Sequence, residues 1–132
     1  MKMTNLILRG GRVIDPSSGR DETADIAFDE GKVTAVGLEL PSRGAEVVDV
    51  DGRLIVPGLI DLHTHVYWGG TSLGVDAAEV ARQSGTTTFV DAGSAGPGNF
   101  HGFRCHVIEP SPLRIIPYLN VRSPVSSPSA AP

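Results

Sequence analysis

The stretch PGLIDLHTH at residues 57–65 carries two imidazoles two residues apart and a carboxylate two residues before the first of them. In a strand, side chains alternate between faces, so Leu59, Asp61, His63 and His65 share one face and Ile60, Leu62, Thr64 and Val66 share the other. Their α-carbons would stand about 6.6 Å apart, and two rings projecting the same way can lean onto one cation at about 2.0–2.1 Å. Asp61 can stand behind them, either as a partner to a ligand or as an anchor for the neighbouring backbone. Two histidines at this spacing are a weak signal alone, because ordinary exposed histidines satisfy it too. The context strengthens it: the pair follows a Pro-Gly break, ends an apolar segment and opens into the glycine-rich YWGGTSLG. Active sites of parallel α/β sheets gather at the C-terminal ends of the strands.

Other residues invite chemistry less strongly. Tyr67 and Trp68 either wall a substrate pocket or pack beneath a loop. Asp91, in FVDAGSAG, either lines that pocket or caps the glycine loop that follows. Gly93, Gly96 and Gly98 lack the spacing of a nucleotide fingerprint and read better as a flexible active-site loop. His101 and His106 are five apart on an expected helix, which suits surface histidines. Cys105 lacks a histidine arrangement that would make it a nucleophile and reads as a buried filler.

The elements that must position these residues fall into two kinds. Residues 1–57 read as short strands, with Gly10-Gly11 a bend or bulge in Asn5–Asp15. Glu30-Gly31 lies between the strands Ala24–Asp29 and Lys32–Val36. Asp51-Gly52 lies between Glu46–Val50 and Arg53–Val56, and both dipeptides point to tight hairpins. From Gly58 the pattern changes: strand Leu59–Val66, helix within Ser72–Ser84 capped by Ser72 and stopped by Gly85, strand Thr86–Ala92, helix Asn99–Glu109, strand Arg114–Val121. That order predicts a parallel sheet with crossover helices. The stretch 122–132 is rich in serine and proline and is expected to be a disordered tail.

The bulk numbers narrow the function classes. The 132 residues carry a net charge of −4 and no basic cluster, which argues against nucleic-acid binding. One cysteine excludes an internal disulfide framework, and no apolar run reaches the roughly 18–20 residues of a membrane span. The expected setting is cytoplasmic, with no membrane partner.

VPGLIDLHTHVYWGGTS followed by GTTTFVDAGSAGPGNF resembles the metal-dependent amidohydrolase superfamily, and most of all its dihydroorotase-like branch with amidohydrolase/deacetylase members. LILRGGRVIDP, IAFDEGKVTAVG and VVDVDGRLIVPGLID are similar to the β-sandwich segment that precedes the barrel in those enzymes. The resemblance implies a mixed β and α/β fold: an N-terminal β-sandwich segment over 1–57, then the first three βα units of an incomplete TIM barrel over 58–121. It further implies a divalent metal, commonly zinc, as one or two ions in the intact enzyme, with His63 and His65 as the first-strand ligands. Asp61, Tyr67, Trp68 and Asp91 become supporting or pocket residues. The implied chemistry is attack of metal-activated hydroxide on an amide, cyclic amide or acetyl ester carbonyl of a small molecule. The intact enzyme would be free to form a homo-oligomer.

The chain departs from that pattern after its third barrel strand. A barrel takes about 250 residues, and the ligands on later strands have no counterpart here. The expectation is a truncated hydrolase with no catalytic residue of its own in this fragment, inactive by itself. The alternative is a non-catalytic product acting at most as a binding or interaction piece.

Overall fold

Residues 5–42 and 44–121 are described by the computed structural model. They divide into two compact units, Met1–Pro57 and Gly58–Pro132.

In the first unit, β1 (Leu6–Asp15) and β2 (Arg20–Asp29) pair antiparallel and bury Val13, Ala24 and Ile26 on one side. At the turn between them, the Asp15 carboxylate accepts hydrogen bonds from the Ser18 and Ser17 hydroxyls. These hold it below the usual carboxylate range. β3 (Lys32–Gly37) completes a hairpin with β2. Glu30 and Gly31 at its tip both take positive φ, 48° and 76°, which matches the twist of a two-residue hairpin.

The second acidic-glycine dipeptide does something else. β4 (Glu46–Asp49) and β5 (Leu54–Ile55) do not form a hairpin; both run parallel to β1 along one edge. The pairs Arg9↔Asp49 and Arg12↔Leu54 leave residues 50–53 opposite Gly10-Gly11, so Asp51-Gly52 is a jog in one continuing direction. Val50 N–H donates to Arg9 O and Arg12 N–H to Arg53 O, both at 2.9 Å, which carries the ladder across the jog. Buried Asp25 accepts from Gly10 N–H and Leu40 N–H, each at 3.0 Å, and so fixes the bulge in β1. The result is one mixed five-stranded sheet, ordered β3-β2-β1-β4 with β5 also on β1. The expected sandwich needs a second sheet, and the described residues of this unit supply only one.

The second unit alternates strand and helix. β6 (Leu59–Thr64), β7 (Thr86–Ala95) and β8 (Arg114–Leu119) form a parallel sheet in that order. α1 (Ala77–Ser84) connects the first two strands; α2 (Phe100–Phe103), continued by a π-helical turn at Arg104–Ile108, connects the last two. The cap of α1 is Asp76, whose carboxylate accepts from Ala78 N–H at 2.7 Å, and not Ser72. Residues 67–74 are held as a tight loop in which Gly70 and Thr71 N–H groups turn back to Tyr67 O, so the helix cannot start earlier. Gly85 ends it in the left-handed region, as its sequence position suggests. No helix follows β8 among the described residues, so the third βα unit is seen only as its strand. The expected tail over 122–132 lies outside the described residues. Among the described residues, no helix is long and apolar enough to cross a membrane.

β7 is the central strand and supplies much of the core: Phe89 and Asp91 are fully buried, and Phe89 packs with Val66, Ala77, Ala95, Phe103 and Ile115. The apolar face expected to pack β6 under helices is uncovered, with Ile60 61% and Leu62 73% exposed. β6 is an edge strand hydrogen-bonded only to β7 within this sheet, and its contribution to the core comes from Val66, beyond its end. In the 132-residue chain, Leu62→Lys is therefore expected to shift unfolding free energy by less than about 0.5 kcal/mol in a urea titration.

Candidate metal and active site

His63 lies near the end of β6 and His65 one residue beyond it, at the C-terminal edge of the parallel sheet. Their rings stand edge to face with centroids 5.8 Å apart. Two imidazoles bound through nitrogen at about 2.0–2.1 Å around a tetrahedral ion have centroids roughly 5 Å apart. The 5.8 Å found here is somewhat wider than that spacing. Among the described residues, no group of three or more His, Cys, Asp or Glu side chains is placed to hold a metal.

The supporting contacts differ for the two rings. His63 is exposed, and its backbone N–H donates to Asp61 Oδ1 at 3.1 Å, so the Asp61 side chain steadies the strand beneath the first ring. His65 is half-buried and more tightly surrounded. Its Nδ1 lies 2.9 Å from Ser94 Oγ, and its carbonyl accepts from Val75 N–H at 2.9 Å. Just before it, the Thr64 hydroxyl donates to Val90 O at 3.0 Å, tying the end of β6 to β7.

Asp91 organises this region from within the core. Its Oδ2 accepts from Val66 N–H at 2.8 Å, and its Oδ1 accepts from Gly93 N–H at 3.1 Å and Ser94 N–H at 2.7 Å. The β7 ladder is irregular between Asp91 and Ala95, where Gly93 takes φ 95°. One carboxylate thus pins the residue after His65 and closes the bulge that presents Ser94. Ser94 has no signature in the sequence: it stands 29 positions from His65, and only the pairing of β6 with β7 brings them together.

The aromatic residues lie elsewhere. The Tyr67 ring stacks on Phe103 at a centroid distance of 4.6 Å, and its hydroxyl donates to Asn99 O. Tyr67 and Trp68, with Val66, Asp76, His106 and Ile115, line a cavity of about 480 Å³ whose walls include neither His63 nor His65. Cys105 is not a buried filler. It is half-buried, and its Sγ lies 3.8 Å from Nε2 of His101, one helical turn earlier.

No family model matches the chain. It is 46% identical over 105 residues to a deacetylase of Brucella anthropi, a match covering 78% of this chain and 26% of that protein. A deacetylase of Agrobacterium fabrum is 46% identical over 95 residues, covering 71% of this chain and 23% of that protein. A dihydroorotase of Trichlorobacter lovleyi is 51% identical over 63 residues, covering 47% and 15%. The chain spans about a quarter of the length of the two deacetylases. Among solved structures, a dihydroorotase superposes with a TM-score of 0.82 at 38% identity, over 92% of this chain and 32% of that one. An adenine deaminase with a TM-score of 0.72 at 23% identity shares the fold.

Proposed function

We propose, for a chain that belongs to the amidohydrolase superfamily and corresponds to the N-terminal part of its relatives, that His63 and His65 form the first-strand half of a divalent-metal site in a hydrolase. The observation that carries this reading is the placement of two imidazoles 5.8 Å apart at the C-terminal end of a parallel strand. On the same reading β6–β8 are the opening third of a barrel, residues 1–57 are a separate segment preceding it, and the setting is cytoplasmic. The substrate class is a small molecule bearing an amide, cyclic amide or acetyl ester. The relatives named deacetylase and dihydroorotase support acyl and cyclic-amide carbonyls as the reacting groups.

A divalent ion bound there, zinc being the usual choice for such donors, supplies a water of lowered pKa and a polarised carbonyl. This chain's residues do the holding. His63 and His65 donate ring nitrogens, Asp61 steadies the backbone under His63, and Asp91 locks the backbone beyond His65. Catalytic zinc ordinarily takes three protein ligands. Two histidines are too few, and the 132-residue chain by itself is expected to show no turnover.

The second reading, a non-catalytic interaction piece, draws on the uncovered apolar face of β6 and the absence of a third ligand among the described residues. Titration with cobalt(II), followed by its visible absorption, tests the first reading. Wild type is expected to bind one equivalent or more through imidazole nitrogen, and His63→Ala combined with His65→Ala to lose that binding at least a hundredfold. Equal binding by the double variant would remove the metal assignment.

A further inference from the structure

Among the described residues, Ser94 is the one side chain with a hydrogen-bond contact to the His65 ring, and its backbone is held by a buried carboxylate. The contacts close a circuit: His65 leads to Val66, Val66 N–H to Asp91 Oδ2, Asp91 Oδ1 to Ser94 N–H, and Ser94 Oγ back to His65 Nδ1. Asp91 is fully buried and Ser94 is 8% exposed, so neither end of the circuit is free to drift. A ring touched at Nδ1 must present Nε2 on the opposite side, away from Ser94.

We infer that Ser94 is a positioning residue: by its contact at Nδ1 it fixes the orientation of the His65 ring and reserves Nε2 as the ligating nitrogen. The inference rests on the metal reading for its purpose, but not for its geometry. A ring held by one contact at Nδ1 loses its freedom about χ2, and a ligand already aimed costs less to order when an ion arrives. The choice of a hydroxyl matters chemically. Imidazole bound through Nε2 carries its proton on Nδ1, and a serine oxygen accepts it. In the metal-free chain the same hydroxyl can rotate and donate to a bare Nδ1, so Ser94 keeps the ring in place in either tautomer. A carboxylate at this position would favour only the Nδ1–H form. His63, by contrast, has its backbone held by Asp61 while its ring stays exposed, so the two ligands are preorganised to different degrees.

The test uses the 132-residue chain labelled with ¹³C and ¹⁵N. In metal-free wild type, side-chain couplings of His65 should report a single rotamer. Ser94→Ala should average them, and Ser94→Thr, which keeps the hydroxyl, should restore the single rotamer. In the cobalt or zinc titration, Ser94→Ala should bind about tenfold or more weakly, with Ser94→Thr close to wild type. Thermal melting followed by Trp68 fluorescence checks that each variant is folded. An unchanged His65 rotamer in folded Ser94→Ala overturns the positioning role, whatever the metal does. Failure of wild type to bind metal, with the rotamer still released by Ser94→Ala, would overturn the metal reading and leave Ser94 as the residue that orients this ring.

Discussion

Asp91→Ala is expected to destabilise the second unit by about 3–5 kcal/mol, a larger effect than any surface substitution can produce. The carboxylate is fully buried and accepts three backbone N–H groups, from Val66, Gly93 and Ser94. Truncation strands those donors, and each buried donor left without a partner costs about 1–3 kcal/mol, partly offset where water can enter beside Gly93. The isosteric Asp91→Asn separates shape from chemistry. Its carbonyl can still serve Gly93 and Ser94, but its amide then faces Val66 N–H, donor against donor, and the expected cost is about half as large. Urea unfolding followed by Trp68, the chain's only tryptophan, reads the second unit directly. A cost below about 1 kcal/mol for Asp91→Ala would mean that water replaces the carboxylate freely and that Asp91 does not organise the loop.

The same residue shows where sequence reading succeeds and where it stops. Asp91 is visible in the sequence as a carboxylate at the end of a strand before a glycine loop, yet which amides it serves depends on β6 lying beside β7. Ser94 is invisible for the same reason. A serine in AGSAG carries no spacing rule, and its importance arises only when a strand 29 residues earlier delivers His65 to it. His63 and His65 are two positions apart along the chain, so their closeness is a local relation that the sequence displays directly, and their ring centroids lie 5.8 Å apart.

Local signals also explain the fold results. Glu30-Gly31 predicts a hairpin correctly because positive φ at two adjacent residues reverses the chain within the turn itself. Asp51-Gly52 looks alike, but the bulge at Gly10-Gly11 in β1 gives the segments on both sides of it a common parallel partner, and a jog results. The apolar run of β6 reads as a core strand by composition. Its exposure is set by neighbours, and in this sheet β6 is paired on one edge only. Periodicity tells which residues share a face; it does not tell what covers that face.

Phe103→Ala should cost about 3–5 kcal/mol in the same urea experiment while leaving cobalt affinity less changed than Ser94→Ala does. Phe103 is fully buried in the cluster with Val66, Phe89 and Ile115 and stacks on Tyr67, so truncation removes transfer energy, opens a cavity and loses an aromatic pair worth about 0.5–1.5 kcal/mol. Phe103→Leu keeps most of the volume and should cost about 1–1.5 kcal/mol. The damage travels toward the site through Tyr67, whose carbonyl anchors the glycine loop by accepting from Gly70 and Thr71 N–H. It should stop short of the His65 ring, because the Thr64 hydroxyl still holds Val90 O and Asp91 still holds Val66 N–H. On the proposed reading the two variants separate two jobs: Phe103→Ala should lower stability with little effect on the aim of His65, and Ser94→Ala should release that aim with little effect on stability. If Phe103→Ala weakened cobalt binding as much as Ser94→Ala, the aim of His65 would depend on the whole core and not on one hydroxyl.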